Sequence, residues 1–502
     1  MLYFDEDSDA RFFMPEAGTI TTDDFDAMLA NLARTQIGCL IVGVNAQMSN
    51  FRSKFVECYL DSFDVTKGIR QPALRGSREK WAFRRLANLA ALEAQGIDSN
   101  AYLLEGARKL GRGAWIDVRM NDIHNGHDEN DCLHASLWRE HPELRLPGGL
   151  PGANGYDYSR KEIRDMYVNY IAEADEKYRP DNVLLDWMRW PAFLPRGREI
   201  ELAGLLTEVV ERVCERVGHP VACRVPATPE SARNLGLDVE TWVRKGLVSH
   251  LFAGNFTVSP DFDIPVEQWK AIAKDIPVVV TFFASWESGF NDMHTFTIED
   301  ARGLAAAAYW RGADGIQIFN CFKYLRGDIP DDLVLRGQDP CPQRENQRIG
   351  RRLFNELQDP EALYSLPRRI YPGWNDSEIY MGDLNEICRV AGYLENWRKT
   401  HKDPEGMMPR DTPCVWKLWT AKVPPHDAWL VTDAEGPVKV NGHEVEVGSA
   451  FGIPEETNQR DRRSMHFRTM GPDPVRIPKE WLKDGVTLVE TTGHVSTLCI
   501  DL

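Results

Sequence analysis

Phe25, Met28, Leu29 and Leu32 recur at i, i+3, i+4 and i+7, and Thr21 with Asp24 supplies a capping box in front of them. That spacing predicts a helix. It runs into CLIVGVN (39–45), a continuous apolar stretch of the kind expected for a strand covered on both faces. The same alternation repeats along the chain. Ser159 with Glu162 precedes Ile163, Met166, Tyr167 and Tyr170, and Thr297 with Asp300 precedes Ala301, Leu304 and Ala308. Strand-like runs are FFM (12–14), CLIVGVN, AWIDVRM (114–120), NVLLD (182–186), VACRV (221–225), VSHLFA (248–253), IPVVVTFF (276–283) and GIQIFN (315–320). Eight runs separated by helical patterns predict an α/β fold, a (β/α)8 TIM barrel rather than an open doubly wound sheet. Long connections over 48–80 and 121–158 would then lie at the C-terminal face of the barrel, where active sites are built.

After residue 320 the periodicity weakens through a Pro- and Arg-rich stretch with one predicted helix at 345–357. From about Pro413 short alternating strands take over. Val438 and Val440, Asn441-Gly442, then Val445 and Val447 spell a hairpin, because a type I′ turn needs two residues tolerant of positive φ. Three units are therefore expected: a barrel over 1–325, a connector packed on it over 326–410, and a C-terminal all-β sandwich over 411–502.

Composition narrows the partners. With 59 Lys plus Arg against 76 Asp plus Glu, the formal charge is −17, and no cationic run stands out, which argues against a nucleic-acid partner. Hydrophobic residues make up 43% and charged ones 27%, an ordinary globular balance. No window of uncharged apolar residues is long enough to span a bilayer, and the start MLYFDEDSDARFF lacks the regions of a signal peptide, so no membrane partner is expected. Ten scattered cysteines without a CxxC pair read as reduced, mostly buried thiols. A cytoplasmic location is expected, or a periplasmic or secreted one if a leader has been removed and replaced by the start Met. A homo-oligomer is left open.

In a barrel the reactive groups stand at strand C-terminal ends. Asp186 closes the run NVLL, with Trp187, Arg189 and Trp190 beside it. A carboxylate so placed suits an ionised nucleophile or base, with Arg189 expected as its cation, and a purely structural Asp186–Arg189 ion pair is the bland alternative. Glu287 follows the seventh run. If it faces inward it completes a carboxylate pair, the equipment of glycosidic bond cleavage, and as the acid it would need its pKa raised by Phe283, Trp286 and Phe290. Asp122 and His124 lie nearest the third strand and are candidates to bind a hydroxyl or protonate a leaving group. Asn45, Arg119, Asn121, His124, Trp187, Arg189, Arg224, Trp286 and Asn320 are the expected substrate-binding residues, with the tryptophans stacking on a sugar face. Trp269 and Trp310 are expected in the core. His124, His127 and His134 with Asp122, Asp128, Glu129 and Asp131 have spacings open to metal ligation. A polar loop is the commoner origin of such a cluster, so neither metal nor other cofactor is assigned.

These residues also carry a resemblance. FxMPEAG, GVN, VRMNDIHNG, HPELRL, DYSRKEIRDMYVNYI, LLDWMRWPAF and VACRVPAT resemble glycoside-hydrolase-like barrels of the family-10-like kind. VKVNGHEVEV, IPKEWLKDGVTLVE and VSTLCIDL resemble the galactose-binding-like β-sandwich appended to many glycosidases. The resemblance implies a carbohydrate-active barrel in which Asp186 occupies a position similar to the fourth-strand carboxylate of α-amylase-type barrels. Those enzymes pair it with a glutamate after the fifth strand, whereas here that strand carries Arg224 and the next glutamate is Glu230. The leading expectation is a glycoside hydrolase acting on an oligosaccharide or polysaccharide fragment. Its rivals are a carbohydrate lyase that uses Asp122, His124 and Arg224 on an acidic sugar, and a catalytically silent sugar-binding protein.

Overall fold

The computed structural model describes residues 1–6, 10–13, 15–71, 74, 79–124, 126, 128–146, 154–255, 261–283, 298–319, 352–372, 413–432, 434, 436–447, 474–492 and 498–502. Eight parallel strands close on themselves: β1 (Leu2–Glu6), β2 (Cys39–Gly43), β3 (Gly113–Arg119), β4 (Val183–Asp186), β5 (Val221–Val225), β6 (Val248–Ala253), β7 (Val278–Phe283) and β8 (Gly315–Phe319). Seven of the eight lie where the apolar runs place them. The first does not. β1 is LYFDE, and the FF of the expected strand lies in a short helix, Ala10–Phe13. Acidic residues hid β1 from a hydrophobic reading. Leu2 and Phe4 face the helical layer, while Tyr3 and Asp5 face the barrel interior, and buried Glu6 is matched by buried Arg11.

The strand register explains how the interior is layered. Asp5 pairs with Ile41, and one residue further on Val42 pairs with Ile116. Continuing with one residue of advance per strand leads through Asp117, Leu185, Arg224, Ala253, Thr281 and Ile318 back to Asp5. One residue per step around eight strands is the shear of a TIM barrel, in which alternate strands contribute the four side chains of each layer. Tyr3, Trp115, Ala222 and Val279 form a lower layer, and Ile41, Leu184 and Phe252 join the apolar cluster above it. The next layer from the odd strands is Asp5, Asp117, Arg224 and Thr281. A position normally filled by branched aliphatics is polar throughout.

The helix Thr22–Ala33 has the predicted capping box at Thr21 and Asp24. Ser159 does not cap its helix, Lys161–Tyr178, whose N-cap is Arg160; its N–H is instead bound by Asp157. Among the described residues no helix is long and apolar enough to cross a membrane. Six described cysteines are free, and all but half-buried Cys214 are buried.

The C-terminal β-sandwich has two antiparallel four-stranded sheets, one of which takes its edge strand, Arg369–Ile370, from the connector. Its strands are β9 (Arg369–Ile370), β10 (Pro413–Ala421), β11 (Ala428–Thr432), β12 (Val438–Val440), β13 (His443–Val445), β14 (Val475–Ile477), β15 (Gly485–Thr492) and β16 (Leu498–Asp501), in the orders β10-β15-β12-β13 and β14-β11-β16-β9. The Asn441-Gly442 hairpin is present, with both φ angles positive. The connector packs on the barrel through Phe354, edge-on to Phe4 at 5.5 Å, and its strand β9 pairs with β16. Gly303, in the helix Ile298–Trp310, lets that strand approach: a Cβ there would stand 1.8 Å from the Arg369 carbonyl oxygen. Arg311 joins the two units, paired with Asp263 at 2.7 Å and lying 4.1 Å from the Trp419 ring centroid, while Trp419 also donates to Asp263.

Candidate active site

Above the polar layer stand Asp186 and Phe319, from even strands, and Arg119 at the end of β3. Asp186 is wholly buried. Its Oδ2 accepts from Arg224 Nη1 at 3.0 Å, and its Oδ1 accepts from the Met188 N–H at 2.7 Å. Arg224, not Arg189, is therefore its partner. The reason lies in the register: Asp186 and Arg224 are direct neighbours on adjacent strands, both facing inward, whereas Arg189 lies past the strand end. Arg224 Nη2 donates to the Asn255 carbonyl at 3.2 Å.

Arg189 instead donates to His124 Nε2 at 3.0 Å. A guanidinium has no lone pair to accept with, so Nε2 must be the acceptor and the ring proton sits on Nδ1, which meets Asp122 Oδ1. Asp122 Oδ2 takes a hydrogen bond from Arg119 Nη1 at 2.9 Å. The result is a chain from Arg119 through Asp122 and His124 to Arg189. Burial pushes the Asp122 carboxyl up, but the His124 ring, Arg119 and Arg189 outweigh it and hold it well below the usual carboxylate range. His124, with 28% of its side chain exposed, meets half-buried Trp190 edge-on at 5.8 Å. Trp190 has φ +58, a left-handed conformation that costs a bulky aromatic about 1–3 kcal/mol.

Three guanidiniums converge on one ring. Arg224, Arg189 and Arg119 lie 4.3, 5.4 and 5.9 Å from the centroid of buried Phe319, within cation–π range. Beneath them, burial pushes the Asp117 carboxyl far above its ordinary range, reinforced by Asp5 and Asp186 and opposed by Arg119 and Arg224. Gln317 ties Asp5 to Thr281, donating to Asp5 Oδ2 at 2.8 Å and accepting from the Thr281 hydroxyl.

Several expected ligand contacts turn out to hold the fold together. Asn45 clamps β2 to β3 by accepting from the Arg119 N–H and donating to the Arg119 carbonyl, both at 3.0 Å. Asn121 binds both backbone groups of Tyr156 and the Ala192 carbonyl, so its amide is committed to loop closure. Trp187 is fully buried among Tyr158, Phe193 and Trp242 and presents no face to a ligand; following Asp186, it points to the opposite side of the sheet. Trp269 is core, but Trp310 is 40% exposed. His134 is buried against Trp138 and its Nε2 binds the His124 backbone carbonyl rather than the His124 ring. Glu287, Trp286, Phe290 and Asn320 lie outside the described residues. Asp5, Asp117 and Phe319 were not among the expected site residues. The signal for Asp117 was available, since an acidic residue two before Arg119 in a buried strand shares its face.

The sequence matches no family model and no curated protein, so the family-10-like resemblance rests on its motifs alone. Among solved structures, the chain is similar to α-L-fucosidase isoenzyme 2 from Paenibacillus thiaminolyticus, at 13% identity over 77% of this chain and 55% of that one, with a TM-score of 0.43. It is also similar to a maltogenic α-amylase from Thermotoga neapolitana, at 9% identity over 98% and 99% of the two chains, with a TM-score of 0.38. A GH36 α-galactosidase from Geobacillus stearothermophilus is similar at 11% identity over 98% of this chain and 55% of that one, with a TM-score of 0.38. The chain thus spans about half the length of the fucosidase and of the galactosidase.

Proposed function

We propose that the chain is a glycoside hydrolase acting on an oligosaccharide or polysaccharide fragment, with Asp186 as nucleophile or base. The observation that carries this reading is Asp186 itself: a carboxylate at the inner C-terminal end of β4, bound at one oxygen by Arg224 and at the other by a backbone N–H. Such a group is held in one orientation in a partly dry site, as attack on an anomeric carbon or on its water requires. Glu287, after β7, is assigned as the acid. A carboxyl separation of about 5–5.5 Å would accompany retention of configuration, and about 6.5–9.5 Å inversion. The test is a screen of neutral and acidic oligosaccharides for new reducing ends; no release from any of them would remove the reading.

A second reading, elimination at an acidic sugar, is favoured by one arrangement. Asp122 fixes the Nδ1–H tautomer of His124, which leaves Nε2 as a base beside Arg189. In that reaction Arg189 would turn its hydrogen bond from Nε2 to the developing enediolate, Nε2 would take the proton α to the sugar carboxylate, and the β C–O bond would break with its electron pair going to the leaving oxygen, which the resulting imidazolium would protonate. An unsaturated chromophore without net hydrolysis would identify it.

A further inference from the structure

Resting on the reading of Asp186 as the reacting carboxylate, we propose that the C-terminal sandwich positions the barrel mouth: Trp419 holds Asp263, and through it the residues after β6 that brace Arg224 against Asp186. Strand alternation sets the first link. Along β10, Trp416, Leu418 and Thr420 are buried in the sandwich, so Val415, Lys417 and Trp419 face outward. Of these three, Val415 and Lys417 are exposed and Trp419 is half-buried, because it meets the barrel. It uses both its face and its edge there. The Arg311 guanidinium lies 4.1 Å from its ring centroid, and its Nε1 donates to Asp263 Oδ1 at 2.6 Å, an oxygen that also accepts from Arg311 Nη1 at 2.7 Å. Arg311 is fixed in turn by its fork on Glu267, at 2.8 and 2.6 Å. The residue before Asp263, Phe262, packs on Tyr371 of the connector with ring centroids 5.3 Å apart, and Pro372 forms a bridge to Leu418 of β10. Two successive residues that follow β6 are thus docked outside the barrel.

The second link runs from Asp263 to the mouth. Asp261, 3% exposed, accepts from the Asp263 N–H at 2.8 Å with Oδ1 and from the Asn255 amide at 3.4 Å with Oδ2, so one carboxyl ties the docked residues to Asn255. Asn255, just past β6, presents its backbone carbonyl to Arg224 Nη2 at 3.2 Å, while Arg224 Nη1 donates to Asp186 at 3.0 Å. Among the described residues those are the two hydrogen bonds of this guanidinium, and its Nε has none. A planar fork held at two points turns when one is withdrawn. The Asn255 carbonyl therefore fixes the orientation of the group that orients Asp186. Misplacing a reacting group by about 1 Å can cost about a hundredfold in rate. Trp419, Asp263 and Asp261 are positioning residues that act through Arg224.

The test uses the full chain. Trp419→Phe removes the indole donor and keeps a ring beside Arg311. Trp416→Phe makes the same change on the same strand but removes a bond to Thr491 within the sandwich, and serves as the control. Hydrogen exchange of the Trp187 and Met188 amides, bound by the Arg224 carbonyl and by Asp186 Oδ1, reads the mouth without a substrate. In Trp419→Phe both should exchange about threefold or more faster, while Val44, bound by the Asp117 carbonyl, keeps its wild-type rate. Trp416→Phe should leave all three unchanged. Asp263→Asn keeps an acceptor for the indole, gives up the charge that Arg311 pairs with, leaves the sandwich untouched, and should speed the same two amides. On an oligosaccharide that wild type cleaves, Trp419→Phe should lower kcat about tenfold with KM within about twofold, and Asp261→Ala should do likewise. Because both act through the same residues, the double variant should lose about tenfold, where independent effects would multiply to about a hundredfold.

Wild-type exchange at Trp187 and Met188 in both Trp419→Phe and Asp263→Asn overturns the proposal, as do a rise in KM with kcat unchanged, multiplying losses in the double variant, or equal effects from Trp416→Phe. The outcomes also separate the two claims. Faster exchange in a chain that cleaves no oligosaccharide keeps the link from the sandwich to Arg224 and removes the hydrolase reading. Cleavage by wild type, with Trp419→Phe equal to it in turnover, keeps the hydrolase and removes the positioning role.

Discussion

Arg224 donates to Asp186 across 3.0 Å in a place where neither side chain is more than 1% exposed. The pair joins two adjacent strands of the barrel on their inner face: Arg224 belongs to the ring of Asp5, Asp117, Arg224 and Thr281 that would ordinarily be aliphatic, and Asp186 stands above that ring. Chemistry and stability are therefore coupled at Asp186. A carboxylate positioned for reaction is also the counter-charge of a buried guanidinium.

That coupling sets the first prediction. Asp186→Asn keeps the acceptor for the Met188 N–H but leaves Arg224 with an uncompensated buried charge, so it should cost about 3 kcal/mol of folding stability. Urea unfolding measures this. The double variant Asp186→Leu with Arg224→Met should lose less than the single, because replacing both partners by apolar groups removes the desolvated charge. A single variant as stable as wild type would contradict burial of the pair.

A second prediction concerns pH. Burial raises the Asp261 carboxyl from 3.8 to about 7, with the Asp263 N–H and Asn255 pulling the other way. The folded chain therefore holds a proton that the unfolded chain has released between those values. Its contribution to stability is complete below pH 3.8 and is lost as pH rises toward about 7. Asp261→Asn, which cannot ionise, should flatten that part of the stability profile, read from unfolding free energies between pH 4 and 7. Parallel profiles for the two proteins would show that Asp261 titrates normally.

Much of the barrel was legible because seven strands are predominantly apolar and their helices amphipathic. β1 was not, since a strand facing a polar interior layer on one side carries Asp5 and Glu6 and looks like a solvated terminus. The same feature hid the site's lower half. Asp117 sits in the middle of AWIDVRM, and a search of strand ends passes over it. Asp186 and Arg224 were visible as strand-end residues, but their pairing required the register. Trp187 shows the opposite failure: adjacency to a carboxylate in sequence places it on the other face of the sheet.

Two glycines in helices make a third prediction of opposite signs. Gly204 is exposed in the helix Glu199–Val217 and a Cβ there meets nothing within 4 Å, so Gly204→Ala should stabilise by about 1 kcal/mol. Gly303→Ala would drive a methyl into the Arg369 carbonyl and should destabilise by about 3 kcal/mol as β9 is pushed from the helix. Thermal unfolding of the two variants should shift in opposite directions, and a shift of the same sign in both would discredit the packing of β9.

If His124 acts on the substrate, Asp122 is its positioning residue. Asp122→Asn should then lower turnover about a hundredfold or more, by loss of the Nδ1–H tautomer, with a smaller change in KM. Its pH–rate profile should shift along the His124 limb. A structural role alone would leave that profile in place.

The most direct test of the assignment of the barrel mouth is a comparison of reducing-end release by wild type and Asp186→Asn, on an oligosaccharide that wild type cleaves and at a temperature where both remain folded by circular dichroism. Turnover should fall by about three orders of magnitude or more. Turnover within tenfold of wild type would take Asp186 out of the chemistry.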